Sequence, residues 1–181
     1  MPVQLGTPGQ PGFDRPIDLM MDCHRRIEHF LGVLGKVVEA RRGGPLDDEH
    51  RRAILAALEY FRVAAPRHTE DEEHSLFPRM RGSSDPAVRE ALERIEALEA
   101  DHRRAEEGHA RVDELGRAWI AEDGLAPERL AELSRLLDEL RESYARHIEV
   151  EDTLVFPLAE RCLNAAELSE VGSEMRRRRG R

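Results

Sequence analysis

The sequence repeats one two-part pattern, and that repeat leaves few folds open to the chain. The first copy reads His24-Arg25-Arg26-Ile27-Glu28, then His68-Thr69-Glu70-Asp71-Glu72, then Leu76-Phe77-Pro78. The second reads His102-Arg103-Arg104-Ala105-Glu106, then His147-Ile148-Glu149-Val150-Glu151, then Val155-Phe156-Pro157. The copies are offset by 78 residues at the first His and 79 at the second. Four His and two Glu recurring in the same order point to a metal site built by two similar helical hairpins.

Periodicity places these residues on helices. Apolar residues recur in steps of three and four at Ile17, Met20, Ile27, Leu31, Leu34 and Val38, with His24 in the same stripe. A second stripe runs Ile54, Leu58, Phe61, Ala65, His68, Glu72, Leu76. A third runs Val88, Ala91, Ile95, Leu98, His102, Ala105, His109, Val112, and a fourth Leu133, Leu137, Leu140, Tyr144, His147, Glu151, Leu154, Leu158. Four such stripes predict an all-α, up-and-down antiparallel four-helix bundle.

Punctuation sets the boundaries. The first helix is predicted from about Ile17 to Arg42, stopped by Gly43-Gly44-Pro45. The second starts at Asp47, a capping residue, and extends to about Phe77, with a kink or break at Pro66. Ser84-Asp85-Pro86 opens the third, which reaches Ile120, and the fourth runs from Pro127 to Arg161. Asn164 caps a short fifth helix ending near Met175. Domain organisation follows: a loose arm rich in Gly, Pro and Gln at 1–15, the bundle at 16–162, and a short helix with a basic tail at 163–181. The tail Arg176-Arg177-Arg178-Arg179 is read as a frayed end.

The stripes carry polar residues where a bundle core demands apolar ones. Burying such groups unpaired costs about 1–3 kcal/mol each, and more for a charge. Six of them would consume most of a typical stability of about 5–15 kcal/mol. A pair of metal ions offsets that cost. The i, i+4 spacing of His68 with Glu72 and of His147 with Glu151 puts each pair on one helix face, and His24 and His102 add one nitrogen each. Four nitrogens and two carboxylates suit iron or manganese better than a Cys-rich zinc site. A ferritin-like centre needs Glu-x-x-His on two helices. That spacing occurs at Glu99 and His102 with no counterpart before His24, which argues against it.

These residues make the chain resemble the hemerythrin-like (HHE cation-binding) domains, over roughly residues 15 to 160. The family pattern is a lone His, a His-x-x-x-Glu pair, a second lone His and a second pair, matched by His24, His68 with Glu72, His102, and His147 with Glu151. The ends at Pro78 and Pro157 are also similar. The resemblance implies an up-and-down four-helix bundle holding two non-haem iron ions, carboxylate- and oxo-bridged, with manganese or zinc as substitutes. It implies that Glu72 and Glu151 bridge. Oxygen-carrying members place a third His where this chain has Glu106, and their last carboxylate falls at Asp152 rather than Glu151. The ligand order is closer to bacterial iron–sulfur-centre repair di-iron proteins, which carry an extra Cys-bearing domain.

Other candidates are weaker. Glu106 and Glu28 sit one step off the stripes at matched positions, each a ligand, an acceptor beside a ligand or a solvated charge; Glu106 is kept with the metal set. His109 reads as a hydrogen-bonded core residue, and Tyr144 as packing with a polar tip or a donor to the site. His29, His50 and His74 fall off the stripes and are expected to be exposed. Cys23 and Cys162 read as free thiols.

The expected function is binding or sensing a small oxidant (dioxygen, nitric oxide or peroxide) or handling iron. Alternatives are a di-iron oxidoreductase consuming peroxide or nitric oxide, an iron–sulfur repair protein, and a non-redox metal-binding interaction module. Net charge is −9, with no basic stripe outside the tail, so a nucleic-acid partner is not expected. No apolar run approaches membrane length, and no leader pattern opens the chain, giving a cytoplasmic monomer or homodimer.

Overall fold

The computed structural model describes residues 11–180, apart from the side chain of Leu92. Most of the expected arm, residues 1–10, lies outside the described residues, as does Arg181. The remainder is helical: α1 (Pro16–Arg41), α2 (Asp48–Asp71), α3 (Phe77–Arg81), α4 (Pro86–Glu122), α5 (Pro127–Val150), α6 (Phe156–Cys162) and α7 (Ala165–Arg178). Helix α2 reaches α3 through a π-helical turn, Glu72–Leu76, and α5 reaches α6 through another, Glu151–Val155. Four rods result, packed in a ring in which α1 touches α2 and α5, and α4 touches the same two.

Local chemistry explains the ends. Asp47 accepts from the His50 amide at 2.9 Å, and Asp85 from Ala87 at 2.8 Å with Pro86 as the first helical residue. Asn164 and Glu167 form a capping box on α7. Gly43 holds φ +77° and meets the α4–α5 loop, its carbonyl accepting from Leu125 at 2.8 Å. Fully buried Trp119 donates to the Gly44 carbonyl at 2.9 Å, pinning the same corner.

The second and fourth rods are not the continuous α-helices expected from periodicity. Proline at 78 and 157 has no N–H to donate and would crowd the carbonyl four residues back. Widening the turn solves this: the Phe77 amide bonds to Glu72 O and the Phe156 amide to Glu151 O, five residues apart. Each proline then sits in the first turn of a new helix. The extra residue rotates everything downstream. Val155 and Phe156 become fully buried, and Leu154, placed on the core stripe by its spacing, is 41% exposed. Pro66 is exposed, and α2 runs through it unbroken.

The core has two apolar clusters. One gathers residues such as Leu31, Phe61, Leu115, Trp119 and Leu137; the other gathers Met20, Phe77, Ile95, Phe156 and Met175. The polar stripe residues form the layer between them.

The arginine tail is not frayed. Helix α7 continues to Arg178, and Arg178 and Arg179 together clamp the fully buried Asp71 at 2.8 and 2.6 Å. Arg178 also donates to Ser75 Oγ at 2.7 Å. A buried carboxylate at the end of α2 demands a partner, and the arginines supply it. Phe13 lies beneath the Arg176 and Arg179 guanidiniums, so the described part of the arm packs on α7. Among the described residues no helix is long and apolar enough to cross a membrane.

Candidate metal centre

Six of the seven proposed ligands converge in the layer between the two apolar clusters. His24 comes from α1 and His102 from α4. His68 and His147 lie in the last turns of α2 and α5, and Glu72 and Glu151 open the two π turns. Both carboxylates are wholly buried, and His24, His68 and His147 are nearly so.

Each carboxylate divides its oxygens between two histidine pairs. Glu72 Oε1 lies 3.2 Å from His68 Nε2 and 3.8 Å from His24 Nε2, while Oε2 lies 3.3 Å from His102 Nε2. Glu151 Oε2 lies 3.0 Å from His24 Nε2, and Oε1 3.1 Å from His147 Nε2. Two donor groups follow, His24–His68 and His102–His147, each completed by both glutamates, with donor atoms within 4.8 Å of one another.

Protons alone do not satisfy this layer. His24 Nε2 and all four carboxylate oxygens are buried without an aligned hydrogen bond, despite ion-pair distances. His102 Nε2 and His147 Nε2 face each other at 3.0 Å. Burial pushes His24 down, but Asp152, Glu151 and Glu72 outweigh it and hold the imidazole up to about 12. Burial likewise opposes charge on His102, but Glu72 lifts it to about 9. His68, by contrast, is driven down to about 4 by burial. Burial raises Glu72, yet His68, His102 and His24 hold it well below the usual carboxylate range. Converging lone pairs in a dry layer, with carboxylates shared between two pairs, fit a metal ion in each group.

The structure adds Glu73, which the sequence pattern left out, and gives Asp152 a place beside His24. Glu73 Oε1 accepts from His102 Nδ1 at 2.8 Å, and Asp152 Oδ1 from His24 Nδ1 at 2.7 Å. Each follows a glutamate shared by the two donor groups, so the acidic pairs Glu72-Glu73 and Glu151-Asp152 were the available signal. With Nδ1–H donated outward, Nε2 of each lone histidine is the nitrogen that faces the donor group, where a metal would take the place of its proton. Asp152 thus pairs with the outer nitrogen of His24, while Glu151 stands in the donor groups. The Phe156 ring stacks on His24 at 5.3 Å and fixes its plane.

Glu106 is not brought into the layer. Its side chain is exposed, outside both donor groups, on the wall of a cavity between α2 and α4. Glu28 is exposed on α1, as is His29; His74 is exposed, and half-buried His50 pairs with Asp47. His109 Nε2 meets Tyr144 Oη at 3.1 Å in the apolar cluster, away from the donor groups. Cys23 and Cys162 are free, and burial pushes the Cys23 thiol up to about 11.

Two cavities adjoin the layer. A cavity of about 10 Å³ touches all four ligand histidines and is closed by Ile27, Ala65, Thr69, Tyr144 and Ile148. Its volume is about that needed for one water molecule. A larger one of about 540 Å³ lies between α2 and α4 and touches His102 and Glu73.

The sequence profile described as the Hemerythrin HHE cation binding domain matches residues 15–159 and, in an overlapping second match, 93–178. The second match begins nine residues ahead of His102, where the second copy of the repeat opens. A protein of Haemophilus influenzae described as an uncharacterized protein is 26% identical over 172 residues, spanning 92% of this chain and 91% of its own length.

Proposed function

The chain belongs to the hemerythrin HHE cation-binding domain family, and from that premise we propose that its metal-binding site holds two non-haem iron ions and that the protein binds or senses a small oxidant. The observation that carries this reading is the sharing of Glu72 and Glu151, one oxygen of each directed at each histidine pair. Carboxylates spanning two imidazole-rich groups suit a pair of like ions of intermediate softness.

Bound iron would supply reversible electron transfer and coordination positions left free by two nitrogens and two oxygens per ion. The chain does the rest. Glu73 and Asp152 hold the Nδ1 protons of His102 and His24, which fixes both tautomers. The apolar clusters above and below exclude bulk water. The small cavity against the four histidines has room for about one water-sized species.

The test is elemental analysis with a visible spectrum on protein prepared with iron and without chelator, before and after exposure to nitric oxide or peroxide. Near two irons per chain with an absorption that responds to the oxidant supports the proposal. One zinc or no metal in a folded helical protein overturns it.

A further inference from the structure

The repeat permits a comparison inside one molecule. The hairpins are related so that the α2–α4 seam corresponds to the α5–α1 seam. The α1–α5 seam carries large side chains: Ile27 and Leu31 lie on α1, Tyr144 and Ile148 on α5, with Tyr144 reaching on to His109, and Arg141 lies over Gly35, donating to the Leu31 carbonyl at 3.1 Å. At the matching positions the α2–α4 seam has Ala105 for Ile27, His109 for Leu31, Ala65 for Tyr144, Thr69 for Ile148 and Asp113 for Gly35. Three large side chains are replaced by small ones and two positions become polar. The 540 Å³ cavity lies at this diverged seam.

Interiors are normally close-packed, and a route for a diatomic gas needs far less room. A cavity of this size is in the range of sites for small organic molecules. Its floor is aromatic: the Phe61 ring stacks on His109 at 4.0 Å, and Tyr144 also lines it. Its rim is acidic. Glu70, Glu73, Glu106 and Asp113 stand against Arg62 and Arg103; Arg62 is tied to Glu59, Glu73 accepts from His102, and Glu70 lies 3.9 Å from Arg178. Asp113 is bound through one oxygen by Arg117, while its other oxygen is buried without a partner. His109 is held neutral by burial, down to about 4, so the floor adds no positive charge near neutral pH.

We propose that the hollow seam between α2 and α4 is a binding site for a small organic cation with a planar apolar body, its ring on Phe61 and Tyr144 and its amine toward the rim carboxylates. An aromatic floor and a carboxylate rim favour such a cation on both counts. The site is independent of the identity of the metal, though its inner end reaches Glu73 and His102.

The experiment titrates the whole protein by calorimetry with naphthylmethylamine, naphthalenemethanol and naphthoate, with metal content measured on the same sample. The amine is expected to saturate one site and to bind at least about tenfold more tightly than the carboxylate. The variant Ala65→Tyr with Ala105→Ile copies the filled seam; it should lose amine binding while keeping its helicity. Should it fail to fold, Glu70→Gln with Glu106→Gln, on the exposed rim, should narrow the gap between amine and carboxylate. Absence of saturable amine binding, naphthoate binding as tightly as the amine, or unchanged binding by the folded filled-seam variant overturns the proposal. Loss of iron with amine binding intact would instead count against the di-iron reading alone.

Discussion

The clamp on Asp71 gives a perturbation whose size follows from its surroundings. The Asp71 carboxylate is wholly buried, and the Arg178 and Arg179 side chains that hold it are 19% and 16% exposed. Changing both arginines to Ala strands a buried charge. Removing one side of a buried ion pair costs about 3–5 kcal/mol, so a loss of about 4 kcal/mol is expected. For a domain of this length that lowers Tm by about 8–16 °C. Adding Asp71→Asn removes the stranded charge and leaves an amide with unmade hydrogen bonds, a deficit of about 1–3 kcal/mol. The triple variant should therefore be more stable than the double. The assay is thermal and urea unfolding followed by circular dichroism on chelator-treated protein, so that metal binding does not contribute. A loss under about 1 kcal/mol in the double variant, or no recovery in the triple, would refute the view that the tail stabilises the bundle through Asp71.

Three further outcomes are expected. Glu73→Gln or Asp152→Asn should weaken metal affinity about 10–100-fold without lowering the limiting stoichiometry, read by competition with a chelator; a missing ion at saturation would make either residue a ligand. Glu106→Ala should leave metal content unchanged, because its side chain lies outside both donor groups; losing half the metal would reverse that placement. His109 titrates near 4 in the folded chain against an ordinary value of 6.5, because burial disfavours its charged form. As pH falls from 6.5 toward 4 the unfolded chain takes up this proton first, so stability rises with pH across that window and the contribution is complete above it. His109→Leu, the residue of the twin seam, should flatten the free energy of urea unfolding over pH 4–6.5 by up to about 3 kcal/mol relative to the parent; identical pH profiles would rule out a buried neutral imidazole.

Much of the centre was legible because helical chemistry is local. The spacing of His68 to Glu72 and of His147 to Glu151 puts each pair on one face whatever the tertiary structure, and the repeat announces that two hairpins contribute alike. The caps at Asp47, Asp85 and Asn164 act within three residues, so the chain itself declares them. Pro78 and Pro157 were equally visible, but their effect on register was not: a proline can end, kink or widen a helix, and packing chooses. That choice exposes Leu154 and buries Val155.

What the sequence determined by itself was the all-helical class, the four stripes and the identity of the clustered histidines and glutamates, because periodicity and i, i+4 spacing need no distant partner. What only the tertiary structure decided was everything set by contacts across the chain. Asp152 accepts from His24, 128 residues away, and Arg178 and Arg179 fold back onto Asp71. Glu106 faces a cavity rather than the metal layer, because the small residues that hollow the α2–α4 seam lie on two different helices and create space only when those helices meet.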